Sequence, residues 1–150
     1  MMASPDLKFD TNTELAARRT GMAFQRTRMS ADRTLMSVIR TSLSLIGFGF
    51  TIFQFFQRLR AQDVITKAAS ARNFGLALVA LGILMLIVGI VYHIQFMLGL
   101  RHLRKSMRED GLLHGESVFP VSLTLITALV LLIIGVAAIV SMMFQVGPFG

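Results

Sequence analysis

Three long apolar runs constrain this chain more than any other feature of its sequence. They cover residues 35–57, 74–98 and 121–144. Each is close to the roughly 20 residues that an α-helix needs to cross about 30 Å of hydrocarbon. The mean hydropathy of +0.67 and the 54% of hydrophobic residues are too high for a soluble fold. We therefore expect an all-α membrane protein with three transmembrane helices.

The Lys and Arg residues outside these runs predict the orientation. Six precede the first run and four lie between the second and third, against four between the first and second and none in the C-terminal tail. Because cytoplasmic segments carry the excess of Lys and Arg, the N-terminus is expected in the cytoplasm and the C-terminus outside. The net charge of +7 favours anionic partners such as acidic lipid headgroups or phosphates.

A seven-residue repeat covers residues 15–49. An Arg-Thr pair recurs four times, a Met or Leu stands four residues before each later arginine, and an Ala or Ser follows each Met or Leu. A seven-residue spacing returns a side chain to nearly the same helix face, with a drift of about 20° per repeat. The repeat therefore predicts one basic edge beside an apolar row. Its arginines are Arg19, Arg26, Arg33 and Arg40.

The helix that carries the repeat is expected to begin near Thr11, because Thr11 and Glu14 fit a capping box. Residues 1–34 then form a tail and a basic amphipathic helix, and residues 35–150 form the three-span domain. The basic helix is either continuous with the first span or precedes it along the membrane surface. Since only about 24 Å of uninterrupted apolar helix follows Arg40, this arginine is expected in the shallow layer of the membrane. There it either snorkels to the headgroups or lines a polar pathway.

The second run carries Gly75, Gly82 and Gly89, seven residues apart, which predict a groove for close helix packing. We expect its helix to continue past the membrane through a basic segment that includes Arg101. The third run is expected to act as scaffold, with Gly135, Ala137 and Ala138 as its small contacts.

No pattern of an active site is present in the sequence. The chain has no cysteine, and its three histidines lack the spacing of metal ligands. No Gly-rich phosphate loop and no Ser/His/Asp grouping occur, so we expect neither an enzyme nor a cofactor or metal site. Aromatic residues for base stacking are also scarce around the basic helix, so nucleic acid is not favoured as a partner.

Residues 32–43 read Asp-Arg-Thr-Leu-Met-Ser-Val-Ile-Arg-Thr-Ser-Leu, and Gly47 and Phe53 follow. This segment resembles the signature of the YidH family, small bacterial inner-membrane proteins of unknown function with three spans. Asp32 stands where that family usually has Glu, and Val38 stands in place of a tryptophan. The resemblance implies a multi-pass protein of the bacterial inner membrane, and it gives Asp32, Thr34 and Thr41 a supporting place in the motif.

The same region is similar to the membrane part of the vacuolar transporter chaperone complex, where three-helix units form a ring and basic residues line a polyphosphate path. By that resemblance Arg33 matches the arginine of a Glu-Arg-Thr motif, and Arg26 matches a basic residue one repeat earlier. Tyr92-His93 matches a Tyr-His pair that ends the second span. Gln95 falls where a basic residue follows that pair, so Arg101 replaces it only if the helix geometry differs. The polymerase domain of that complex has no counterpart here, so synthesis of polyphosphate is not implied.

Two functions remain open at this point. In the first, a structural or accessory membrane protein binds acidic lipid or a partner's acidic surface through the Arg-Thr helix. In the second, a homo-oligomeric, channel-like assembly stacks arginine rings about 10 Å apart that bind or conduct phosphate or polyphosphate. Both use the same candidate residues, with Asp32, Thr34, Thr41 and His93 in support. The candidate anion-binding or lipid-binding residues are Arg19, Arg26, Arg33, Arg40 and Arg101.

Overall fold

Three α-helices account for nearly all of the chain that the computed structural model describes, namely residues 5–62, 69–109 and 122–144. They are α1 (Pro5–Ala61), α2 (Ala69–Glu109) and α3 (Leu123–Phe144). Each is long and apolar enough to cross a membrane, with mean hydropathies of 1.5, 2.9 and 3.0 in its most apolar window. The prediction of an all-α protein with three transmembrane helices is confirmed. The predicted loop between the second and third spans lies outside the described residues.

The basic segment and the first span form one helix of 57 residues, α1. Of the two arrangements left open, the continuous one is therefore correct. The expected start near Thr11 was wrong, because α1 already begins at Pro5. Proline suits a first helical position, since its φ is preset and its missing N–H would have no partner there. The predicted division into residues 1–34 and 35–150 stays a prediction.

The chain divides into two compact units, and α1 and α2 contribute to both. Unit 1 comprises Met1–Arg33 and His93–Pro120, and unit 2 comprises Thr34–Tyr92 and Val121–Gly150. Unit 1 therefore contains the N-terminal half of α1 and the C-terminal end of α2. Unit 2 contains the most apolar parts of both helices together with α3.

The core of unit 2 is built on one face of α1, which we call the seam. Its buried residues recur at alternating spacings of four and three, the heptad pattern that keeps one helix face against a partner. Two clusters join this face to α2 and α3, one around Leu35 and Leu86 and the other around Ile46 and Val79. The seam residues in unit 2 are Leu35, Ile39, Ser42, Ile46, Gly49 and Phe53.

The glycines of α2 allow its backbone to lie directly against α1, as predicted. A Cβ added at Gly75 would lie 2.7 Å from the Gly49 carbonyl oxygen, and one at Gly82 would lie 2.8 Å from Ile46 Cγ1. A Cβ at Gly89 would lie 2.6 Å from Val38 Cγ1. From Gly75 to Gly89 along α2, the contacted residue on α1 changes from Gly49 back to Val38. The two helices are therefore antiparallel.

Helix α3 packs through small residues on one face, with Ala128 and Ala138 buried at 0% and 8% exposure. Gly135 is also buried, as expected from the sequence. Ala137 was predicted as a contact but is exposed, because it lies one residue, or about 100°, from the packing face.

Candidate anion-binding stripe

Four arginines along α1 form the candidate site, which we call the arginine stripe. Arg19, Arg26 and Arg33 lie in unit 1, and Arg40 lies in unit 2. All four side chains are exposed. Because α1 is one helix, their seven-residue spacing keeps them on one edge of it, with about 20° of drift per repeat. Arg40 directly follows the seam residue Ile39, so its side chain is rotated about 100° out of the packing face.

The stripe guanidinium groups take no part in holding the fold together. None of the four forms a hydrogen bond or an ion pair with a residue that the structure describes. The neighbouring Arg18, which lies off the stripe, instead donates from Nη2 to Glu14 Oε1 one turn away. Each stripe arginine therefore keeps its five N–H donors for a ligand.

An apolar row lies beside the stripe. Its members are 43–53% exposed, although each is large and hydrophobic. The seam occupies the neighbouring face, so these side chains are not needed for packing within the chain. A surface with guanidinium groups next to apolar side chains has the two chemical faces of an amphiphile. The members of the apolar row are Leu15, Met22, Met29, Met36 and Leu43.

Three threonines of the repeat satisfy their hydroxyl groups within the helix. The Thr41 hydroxyl donates to the Ser37 carbonyl oxygen at 3.0 Å, and the Thr20 and Thr27 hydroxyls donate to carbonyls one turn back at 3.0 and 2.9 Å. A hydroxyl that back-bonds in this way can be exposed to lipid without an unsatisfied donor. The donors that remain for an anion are therefore those of the arginines.

A row of polar and small residues extends the stripe along α1 within unit 2. Ser37, Ser44 and Thr51 are exposed, and an added Cβ at Gly47 would meet nothing within 4 Å. The Ser44 and Thr51 hydroxyls donate to carbonyls one turn back, at 2.9 and 2.8 Å. We call Ser37, Arg40, Ser44, Gly47 and Thr51 the polar row. It ends at a groove lined by Phe50, Thr51, Gln54, Phe55, Gln57, Arg58 and Ala61.

The fifth predicted arginine, Arg101, lies on α2 in unit 1, the unit that also holds Arg19, Arg26 and Arg33. Its side chain is exposed and has no hydrogen bond or ion pair with the residues that the structure describes. Unit 1 therefore carries unpaired guanidinium groups on both of its helices.

The structure brings together Asp32 and His93, two residues that the sequence suggested only as support for the motif. His93 Nε2 lies 3.6 Å from Asp32 Oδ1, and the His93 side chain is 3% exposed. Both residues belong to unit 1. Their positions fit the heptad rows that the structure shows, because Asp32 precedes the seam residue Ile39 by seven positions. His93 likewise follows the buried Leu86 by seven.

No group of three or more His, Asp or Glu side chains that could hold a metal ion occurs within residues 11–62, 69–107 and 122–144, whose side chains are described.

In the comparisons with known proteins, residues 26–99 match the family model described as Domain of unknown function (DUF202). No curated protein and no solved structure matches the chain. The matched residues begin at Arg26, continue through the seam of α1 and the glycines of α2, and end at Gly99. The expected resemblance is thereby confirmed: residues 26–99 of this chain are similar to the DUF202 family of small, YidH-like membrane proteins.

Proposed function

We propose that this membrane protein binds phosphate-bearing anions along the arginine stripe, and that its main ligands are acidic lipid headgroups. The observation that carries the proposal is that Arg19, Arg26, Arg33 and Arg40 are exposed and pair with no residue that the structure describes. The role is structural or accessory, and the proposal assigns no catalysis. In this proposal the N-terminus lies in the cytoplasm of a bacterial cell, so the stripe meets the inner leaflet.

The chemistry of a phospholipid matches both faces of this surface. A guanidinium group binds a phosphate through two parallel hydrogen bonds, which gives geometry as well as charge. The apolar row beside the stripe offers contact to the glycerol and acyl region of the same lipid. An attraction of about 1 kcal/mol per basic residue near an acidic surface gives roughly 4 kcal/mol for four arginines, or about a thousandfold.

Lipid binding to the purified full chain tests this proposal. The stripe variant Arg26→Gln/Arg33→Gln is compared with Arg58→Gln/Arg60→Gln, which removes two exposed arginines from the other end of α1. The readout is native mass spectrometry with phosphatidylglycerol, at two salt concentrations. We expect the stripe variant to lose about tenfold or more in affinity and much of its salt dependence. The matched control should stay near the parent, and equal losses in both variants would contradict the proposal.

Competition distinguishes the source of the phosphate. If the ligand is a lipid, inorganic phosphate should displace it poorly, because the free ion gains nothing from the apolar row. Efficient displacement by inorganic phosphate or by polyphosphate would instead favour a soluble anion as the ligand.

A second function, an anion pathway through a homo-oligomer, is favoured by the polar row in unit 2. Ser37, Arg40, Ser44 and Thr51 are exposed although they lie in an apolar helix. If copies of the chain surrounded an axis with these rows inward, they would form a positively lined pore. Anion flux from liposomes tests this function, with Arg40→Ala and Arg33→Ala as variants. Flux no different from that of empty liposomes, or a monomer in detergent, would exclude it.

A further inference from the structure

We propose that Asp32 and His93 form a proton-binding site that joins α1 to α2. When His93 takes up a proton, the pair closes into an ion pair and tightens the contact between the two helices. The site lies within unit 1 and does not depend on what the arginine stripe binds.

The burial of His93 is the first observation behind this inference. Its side chain is 3% exposed, and neither Nδ1 nor Nε2 has a hydrogen-bond partner among the residues that the structure describes. Buried polar atoms nearly always have partners, so two orphaned nitrogens on one ring call for an explanation. The proposal explains them: the ring can take up a proton, and the Asp32 carboxylate can then approach Nε2 more closely.

The distance to Asp32 is the second observation. The 3.6 Å between Nε2 and Oδ1 is too long for a hydrogen bond but is within the range of an ion pair. A neutral imidazole has one N–H, and if Nδ1 carries it, the Nε2 lone pair faces the carboxylate. A protonated imidazole donates from both nitrogens, and a charge-assisted bond settles near about 2.8 Å. Closure therefore needs a movement of less than about 1 Å.

Among the residues whose side chains the structure describes, no other group within one turn of the pair changes its charge in the pH range of histidine. On α1, the charged residues within one turn of Asp32 are Arg28 and Arg33. Arginine stays protonated at every physiological pH. On α2, Tyr92 is the only other titratable residue within one turn of His93. Helix α3 carries no ionisable side chain. Histidine is the side chain that ordinarily titrates between pH 5 and 8, so the proposal assigns the proton to His93.

The place of the pair in the helix pattern gives the proton its effect. Asp32 lies seven residues before Ile39 on α1, and His93 lies seven residues after Leu86 on α2. Both therefore continue the rows of side chains by which these helices pack. Asp32 also precedes Arg33 directly, so the site adjoins the stripe. We expect acidification to hold the two helices together more firmly at this end.

Titration of the purified full chain in nanodiscs tests the site directly. His102 and His114 are replaced by Gln, so that His93 is the only imidazole observed by NMR. We expect the midpoint of its titration to differ between this parent and Asp32→Asn, because only the parent has a carboxylate 3.6 Å from Nε2. Asp32→Glu, which keeps the charge, should stay close to the parent. Equal midpoints in the parent and in Asp32→Asn would overturn the proposal.

Thermal unfolding gives a second readout, which remains valid if the Asp32 variants fail to fold. His93→Gln retains hydrogen-bonding groups but does not titrate. The wild-type chain should exceed His93→Gln in melting temperature by a few degrees at pH 5.5, and this difference should shrink at pH 8. A difference that is the same at both pH values would show that the buried ring has only a packing role.

Discussion

At the scale of single residues, the glycines of α2 matter because they have no side chain. At Gly75 the nearest obstacles to a Cβ are backbone atoms, the Gly49 carbonyl oxygen at 2.7 Å and the Phe53 nitrogen at 2.9 Å. Backbone atoms cannot rotate away, so Gly75→Ala should lower the free energy of unfolding by about 1–3 kcal/mol. Thermal unfolding in detergent measures this loss.

The control for that prediction lies on the same helix. An added Cβ at Gly99 meets nothing within 4 Å, so Gly99→Ala should be neutral or should gain up to about 1 kcal/mol from helix propensity. If Gly75→Ala behaved like Gly99→Ala, the close approach of α1 and α2 at Gly49 would be contradicted.

At Ser42, unlike at Gly75, we expect a substitution by alanine that does not lower the stability of the fold. It is 0% exposed, and its Oγ has no hydrogen-bond partner within the described parts of the chain. By contrast, the exposed Ser44 hydroxyl donates to the Arg40 carbonyl oxygen at 2.9 Å. Because an unsatisfied buried hydroxyl is costly, Ser42→Ala should leave the melting temperature unchanged or raise it. A clear decrease would show that the Ser42 hydroxyl has a partner.

At the scale of elements, α3 allows a test with two adjacent alanines. Ala138 is buried at 8% exposure in unit 2, and Ala137 is exposed. Ala138→Leu adds bulk to a packed face and should destabilise the chain by about 1–3 kcal/mol. Ala137→Leu adds the same bulk on the outer face and should be near neutral. The two melting curves in detergent, compared with the parent, decide whether the packing face of α3 is correct.

The helices themselves could be predicted from the sequence, because apolar runs of membrane length leave few alternatives to spans. Which face of α1 packs could not be predicted. Two seven-residue series coexist there, one through Leu35 and Ser42 and the other through Met36 and Leu43. Periodicity alone gives both series the same weight. The glycines of α2 decide the matter in the structure, since only the first series meets them.

For the candidate site too, one part could be predicted from the sequence and another could not. Arginine spacing on a single helix is local information, so the common edge of Arg26 and Arg33 follows once α1 is continuous. The contact between Asp32 and His93 depends on how α1 and α2 are aligned along each other. The two residues are 61 positions apart in the sequence. Their contact can therefore be predicted only when the alignment of the two helices is known.

At the scale of the whole molecule, the two basic segments of the chain belong to the same unit. Unit 1 joins Met1–Arg33 to His93–Pro120, which together carry ten Lys and Arg residues. Moving this end across the bilayer would carry all of these charges through hydrocarbon, at about 2.5–3.5 kcal/mol for each arginine at the centre. All ten residues should therefore favour the same orientation in the membrane. We expect unit 1 on the cytoplasmic side.

The absence of cysteine from the chain makes this orientation directly measurable. Thr13→Cys places a lone thiol near the start of α1, and Phe144→Cys places one at the end of α3. Because three spans put these ends on opposite sides, a membrane-impermeant maleimide should label position 144 in intact spheroplasts and position 13 only after permeabilisation. The reverse pattern would put the arginine stripe at the outer leaflet, and the lipids that it meets would then be those of the outer face.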